Sequence, residues 1–118
     1  MSFELWLFRL LAASLEGLNA ARQENGASLR LTDRATLSRY QVQEAYELLL
    51  EKPSKAEASA LAEEATAALG KLPEHNYIHT ISIDGTAAQR QGEPTRWVYS
   101  VIFTVTRRRD VTDWQEVD

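Results

Sequence analysis

From Arg96 to Arg108 the side chains alternate. Trp97, Tyr99, Val101, Phe103 and Val105 fall on one face, and Val98, Ile102, Thr104 and Thr106 on the other. Successive side chains of a strand point to opposite sides of its sheet, so this run specifies a strand. Its second face is β-branched and only partly polar, which predicts cover on both sides.

Other segments supply the rest of a fold. Residues 3–24 read as one long helix, with Phe3, Trp6, Leu7, Leu10, Leu11, Leu15 and Leu18 on one broad face. Ser2 is a candidate N-cap, Glu4 suits the positive end of the helix dipole, and Asn25-Gly26 is a natural stop. Leu5 and Phe8 lie off the main stripe; either a loop or a neighbouring subunit covers them. Residues 27–33 alternate as a short strand, with Leu29 and Leu31 on one side. In residues 38–51, Tyr40, Val42, Tyr46, Leu48 and Leu50 alternate with polar residues, and Glu44 breaks the apolar series. That is strand periodicity, but Leu37, Tyr40, Glu44 and Leu48 also sit at near-helical spacing, and the composition suits a helix.

Residues 55–69 give the clearest helix, with Ala58, Leu61, Ala62, Ala65 and Leu69 on one face. Ser54 and Glu57 form a capping box; Gly70 and Pro73 end the helix. Residues 77–84 alternate again, with Tyr77, His79, Ile81 and Ile83 together. Residues 85–95 then read as a long polar loop. The order is helix, strand, strand, helix, strand, strand. Neighbouring strands form antiparallel hairpins, and helices on one face complete a two-layer α+β domain.

With 118 residues the chain holds one domain. Residues 1–109 form that domain, and residues 110–118 an acidic tail. Zero cysteines exclude a disulfide framework and a thiolate metal site. The net charge of −4 argues against sequence-specific binding to duplex nucleic acid. Arg96, Trp97, Tyr99 and Arg107 to Arg109 loosely fit the basic and aromatic interleaving of a single-strand nucleic-acid surface, but Trp97 and Tyr99 share the face of Val101 and Phe103, which is more simply a core face. Glu4 and Arg9 interrupt the apolar N-terminal residues, so neither a signal peptide nor a membrane span is read there. The expectation is a soluble, non-secreted protein.

No nucleophile elbow, phosphate loop or dinucleotide fingerprint occurs, and the five glycines are isolated. His75 and His79 have the spacing of a helical metal pair but flank a strand. Neither a catalytic residue, a metal ligand nor a cofactor site is nominated, and the chain reads as a non-enzyme. The charge distribution is more informative. Between His75 and Arg109 five basic residues (Arg90, Arg96, Arg107, Arg108, Arg109) face two acidic ones, and four acidic residues follow. Trp114 stands in that acidic tail, where it either folds back on the core or binds a partner.

The stretch SRYQVQEAYELLLEKPSKAEASALAEEATAALGKLP, followed by YIHTISIDGTAAQRQGEPTRWVYSVIFTVTRR, resembles the tail terminator (tail completion) proteins of long-tailed bacteriophages. Thr95-Arg96 leading into alternating apolar residues matches that family's last strand. The resemblance implies a strand at residues 40–50, with Glu44 marking a bulge or a contact between subunits. It implies a homo-hexameric ring on the tail tube, at the virion's tail–neck junction, assembled in the host cytoplasm. Its partners would be further copies, the tail tube protein and the head–tail connector. Leu5, Trp6 and Phe8, the loop carrying Arg90, the cluster Arg107, Arg108 and Arg109, and Trp114 are the candidate contact residues. The arginine cluster would meet the acidic tail of an adjacent copy, and reversing its charge would weaken assembly while leaving the monomer folded. The alternatives are another head–tail joining protein of the phage neck, or a small ligand-binding or regulatory α+β domain of a cell.

Overall fold

Two helices pack on one face of a four-stranded antiparallel sheet, the α+β arrangement that the sequence predicts. The computed structural model describes residues 1–14, 27–92, 96–111 and 113–114. In chain order the elements are α1 (Phe3–Ser14), β1 (Ala27–Thr36), β2 (Gln41–Lys52), α2 (Lys55–Gly70), a 3₁₀ turn at Leu72–Glu74, β3 (Ile78–Gln91) and β4 (Arg96–Arg108). The strands lie in the order β1-β2-β4-β3.

β2 and β4 form the middle of the sheet and hold much of the core. Val42, Tyr46, Leu48 and Leu50 of β2 are buried, as are Val101, Phe103 and Val105 of β4. Tyr46 pairs with Phe103 and Leu48 with Val101, so the two alternating series share one face. This settles the choice between helix and strand for residues 40–50. Two flanking strands satisfy the backbone of β2, and a period of two puts Val42, Tyr46, Leu48 and Leu50 under the helices, while Tyr40 lies exposed before the strand. The opposite face of the sheet is open: Ile102 is 40% exposed, so β4 is not covered on both sides as its composition predicts.

α2 starts on the predicted cap. Ser54 Oγ accepts from the Glu57 N–H at 3.2 Å. The Glu57 carboxylate accepts from the Ser54 hydroxyl at 3.1 Å, a variant of the expected box. Ala58, Leu61, Ala62, Ala65 and Leu69 are its buried stripe. α1 is described as far as Ser14; the rest of the helix expected to residue 24, with Leu15 and Leu18, lies outside the described residues.

The second hairpin differs most from expectation. Residues 85–91 continue β3 in register with β4, with Gly85 opposite Ile102 and Gln91 opposite Arg96, where the sequence reads as a loop. The turn falls at Gly92, whose φ of 64° suits a residue without Cβ. Thr86 to Arg90 are all exposed, so no apolar alternation marks this half of the strand in the sequence. A register shift between Ile78 and Thr80 also regroups its first half. Ile78 is buried and Ile81 packs against the core, whereas Tyr77 and His79 are exposed. β1 carries a similar shift between Leu31 and Asp33 and runs on to Thr36.

Candidate subunit interface

The end of the sheet where β2 and β3 begin gathers most of the residues singled out above. Glu44, the break in the apolar series of β2, is 3% exposed and faces Arg107 of β4, which is 7% exposed. Arg107 Nε donates to Glu44 Oε1 at 2.6 Å. Glu44 is therefore neither a bulge nor a surface residue but half of a buried ion pair. The Arg107 guanidinium also lies over the rings of Phe3, at 4.6 Å, and Trp114, at 5.7 Å. Nearby, burial pushes the Tyr46 hydroxyl well above the usual phenol range, helped by the charge and hydrogen bond of Glu44 and opposed by Arg107.

Trp114 folds back on the core. Its ring meets Phe3 at 4.8 Å, Trp6 at 5.0 Å and Tyr77 at 6.0 Å. The backbone reinforces this return: Trp114 N–H donates to the Met1 carbonyl at 2.8 Å, and the Met1 amino group to Asp113 Oδ1 at 2.5 Å. The packed unit therefore extends past Arg109, as far as Trp114.

Four of the expected contact residues, Trp6, Phe8, Arg107 and Trp114, are thus buried within their own chain. Large rings and a charge already paired inside the fold are not surface for a neighbour. Leu5 is the exception in the first helix, at 43% exposure. Arg90 is exposed on β3, in regular pairing with Trp97. The arginine cluster divides. Arg107 is internal, and Arg108 makes two bonds to Asp110 of its own chain, at 2.9 and 2.6 Å. That contact raises the affinity of Arg108 for its proton and lowers that of Asp110. Arg109 is exposed and, alone of the three, makes no ion pair among the described residues. Reversing all three charges would therefore break the fold at Arg107 before it tested assembly.

Sequence reading missed two surface features at this end. Leu37 and Tyr40, in the turn between β1 and β2, are 51% and 58% exposed, more than any other large apolar side chain among the described residues. A half-open groove of about 390 Å³ lies between the two helices, lined by Leu10, Glu64, Ala67, Ala68, Lys71, Leu72, Glu74 and His75. The usable signal for the first was Leu37 and Tyr40 flanking a turn. The second depends on how two helices meet and has none.

The His75 and Trp6 rings meet nearly at right angles, with centroids 5.1 Å apart, and His79 is exposed. Among the described residues no group of three His, Asp or Glu side chains is placed to hold a metal ion, and no helix is long and apolar enough to cross a membrane.

Together these features are surfaces on a two-layer α+β domain. Comparison with known proteins adds little to that class. No family model matches the sequence, and no curated protein does. A solved structure similar to it is the core region of PilO from the type IV pilus system of Pseudomonas aeruginosa. That likeness has a TM-score of 0.42 and 8% identity, over 74% of this chain and 80% of PilO's, too low to carry any argument about function.

Proposed function

We propose that this chain is a structural subunit of a closed ring, of the kind that tail terminators of long-tailed bacteriophages form between tail tube and head connector. The observation that carries this reading is the pair of unlike sheet edges. Among the described residues β1 pairs only with β2, and β3 only with β4. Arg30 to Thr36 on one edge and Thr86 to Arg90 on the other are exposed. Neighbouring strands alternate in direction throughout, so β1 and β3 run opposite ways. The β3 edge of one copy can then pair antiparallel with the β1 edge of the next and continue the sheet. Contact between two different patches propagates head to tail, and it closes into a ring when the rotation between copies permits. Every copy would turn its helices to one side of that continued sheet.

The tube and connector as partners, the six-fold symmetry and the place in the virion come from the family resemblance. The activity is binding, with no chemical step. Light scattering joined to negative-stain electron microscopy at high protein concentration tests it. The expected result is six-fold rings with a central hole and a mass of six chains. A monomer or two-fold dimer that also fails to bind tail-tube ends overturns the reading.

A further inference from the structure

We infer that the groove between α1 and α2 receives the β1–β2 turn of a second copy of this chain. The inference deepens the ring reading and rests on it for the identity of the occupant. The turn is a preformed knob. The N–H groups of Leu37 and Ser38 both donate to the Gln41 carbonyl, at 3.1 and 3.2 Å, and Tyr40 N–H donates to Ser38 Oγ at 3.2 Å. From the neighbouring strand end, Arg109 N–H donates to the Tyr40 carbonyl at 2.8 Å. A turn fixed in this way loses little conformational entropy on docking. It presents Leu37 and Tyr40 beside Arg39 and Arg109, neither of which makes an ion pair among the described residues. Tyrosine and arginine around an apolar centre are the composition of interface hot spots.

The groove has the complementary chemistry. Ala67, Ala68, Leu10 and Leu72 give it an apolar surface, and the two alanines leave room for a side chain. Glu64 and Glu74 stand on its rim, exposed and without an ion pair among the described residues. Two carboxylates in the groove thus match two guanidinium groups beside the knob, with Lys71 the one opposing charge in the lining. The placement also agrees with edge pairing. Leu37 to Tyr40 lead into β2 beside the β1 edge; Leu72 to His75 lead towards β3, the opposite edge. Both lie at the same end of the sheet, because Gln41 pairs with Arg108 and Ile78 with Arg107. Joining the β3 edge of one copy to the β1 edge of the next therefore puts the knob of one at the same end of the continued sheet as the groove of the other.

Charge exchange tests the contact. Arg39→Glu/Arg109→Glu alters the knob, Glu64→Arg/Glu74→Arg the groove, and all four positions are exposed, so both variants should keep the native circular dichroism spectrum. In sedimentation at low salt, self-association of each variant should weaken by about tenfold or more. An equimolar mixture should recover it, because each knob then finds a groove of opposite charge. Leu37→Ser/Tyr40→Ser should weaken association without rescue by either partner. Folded variants that associate like the natural chain, or a mixture that stays dissociated, overturn the inference. Rings persisting in every variant would overturn this contact and leave the ring reading standing. Rescue to open filaments or dimers would support the contact and overturn the ring. A natural chain that is monomeric at its highest soluble concentration would overturn the contact.

Discussion

The two ends of the sheet are held together differently. At the end where β2 and β3 begin, α1, Trp114 and the buried Glu44–Arg107 pair close over the strands. At the other end the β3–β4 hairpin runs to the turn at Gly92, where the start of α2 approaches Trp97 and Thr86 to Arg90 are exposed. The strands are also much longer than the helix. Strands of 13 and 14 residues span about 45 Å at the usual rise per residue, and α2, with 16 residues, about 24 Å. The covered end draws stability from buried rings and a satisfied ion pair. The hairpin end relies on its backbone ladder, a Lys55 ammonium 5.4 Å from the Trp97 ring, and an exposed ion pair between Arg96 and Glu51. Core burial and backbone pairing are thus separated along one hairpin.

One of the two largest effects should come from Arg107→Ala. It leaves the buried Glu44 carboxylate with only the longer ion contact to Arg34, 3.8 Å away, and urea unfolding should show a loss of about 3 kcal/mol. Glu44→Leu/Arg107→Met should recover most of it, and a single-variant loss below about 1 kcal/mol would show that the pair is not sealed from water. Trp114→Ala removes a ring that Phe3, Trp6 and Tyr77 surround. A loss of about 3 kcal/mol is expected, with a matching loss of near-ultraviolet dichroism. If the chain ends in a loosely attached tail instead, this change will be silent.

The covered end also predicts a pH dependence. Tyr46 stays neutral in the fold to higher pH than in the unfolded chain, which loses its phenol proton near pH 10. Its contribution is fully present below that pH. Above it, stability should fall by up to about 1.4 kcal/mol per pH unit. Tyr46→Phe should flatten this alkaline limb, and an unchanged slope would assign it to other groups.

Effects at the hairpin end should be smaller. Trp97→Ala should cost about 1 kcal/mol, because its ring is only half-buried and its cation is a lysine. Amides of Thr86 to Arg90 should exchange with solvent faster than those of Tyr46 to Leu50; equal protection would mean that a further surface covers the hairpin. The smallest effect belongs to Arg108→Ala and Asp110→Ala, an exposed pair whose loss should leave the unfolding midpoint unmoved. The Arg108 contact lowers the affinity of Asp110 for its proton, so whatever it contributes is present at neutral pH and disappears as the carboxylate protonates in acid.

Local pattern specified much of this molecule. Alternation in β4, the alanine-rich stripe and Ser54 cap of α2, and the order of the elements are all legible, because each records repeated burial on one side of a regular backbone. Other features were set by tertiary contact. β2 is a strand because β1 and β4 flank it, and Glu44 is tolerated there because Arg107, distant in sequence and opposite Val42, reaches it diagonally across the pair of strands. Arg107, Trp6, Phe8 and Trp114 read as surface or ambiguous residues until the packing of the whole chain buries them. The outer half of β3 has no apolar alternation because Thr86 to Arg90 are all exposed, and its pairing with β4 is a matter of backbone hydrogen bonds that side-chain pattern does not encode. A one-dimensional pattern records which residues face the core. It does not record which distant group satisfies a buried charge, or which edge and groove remain open once the layers have met.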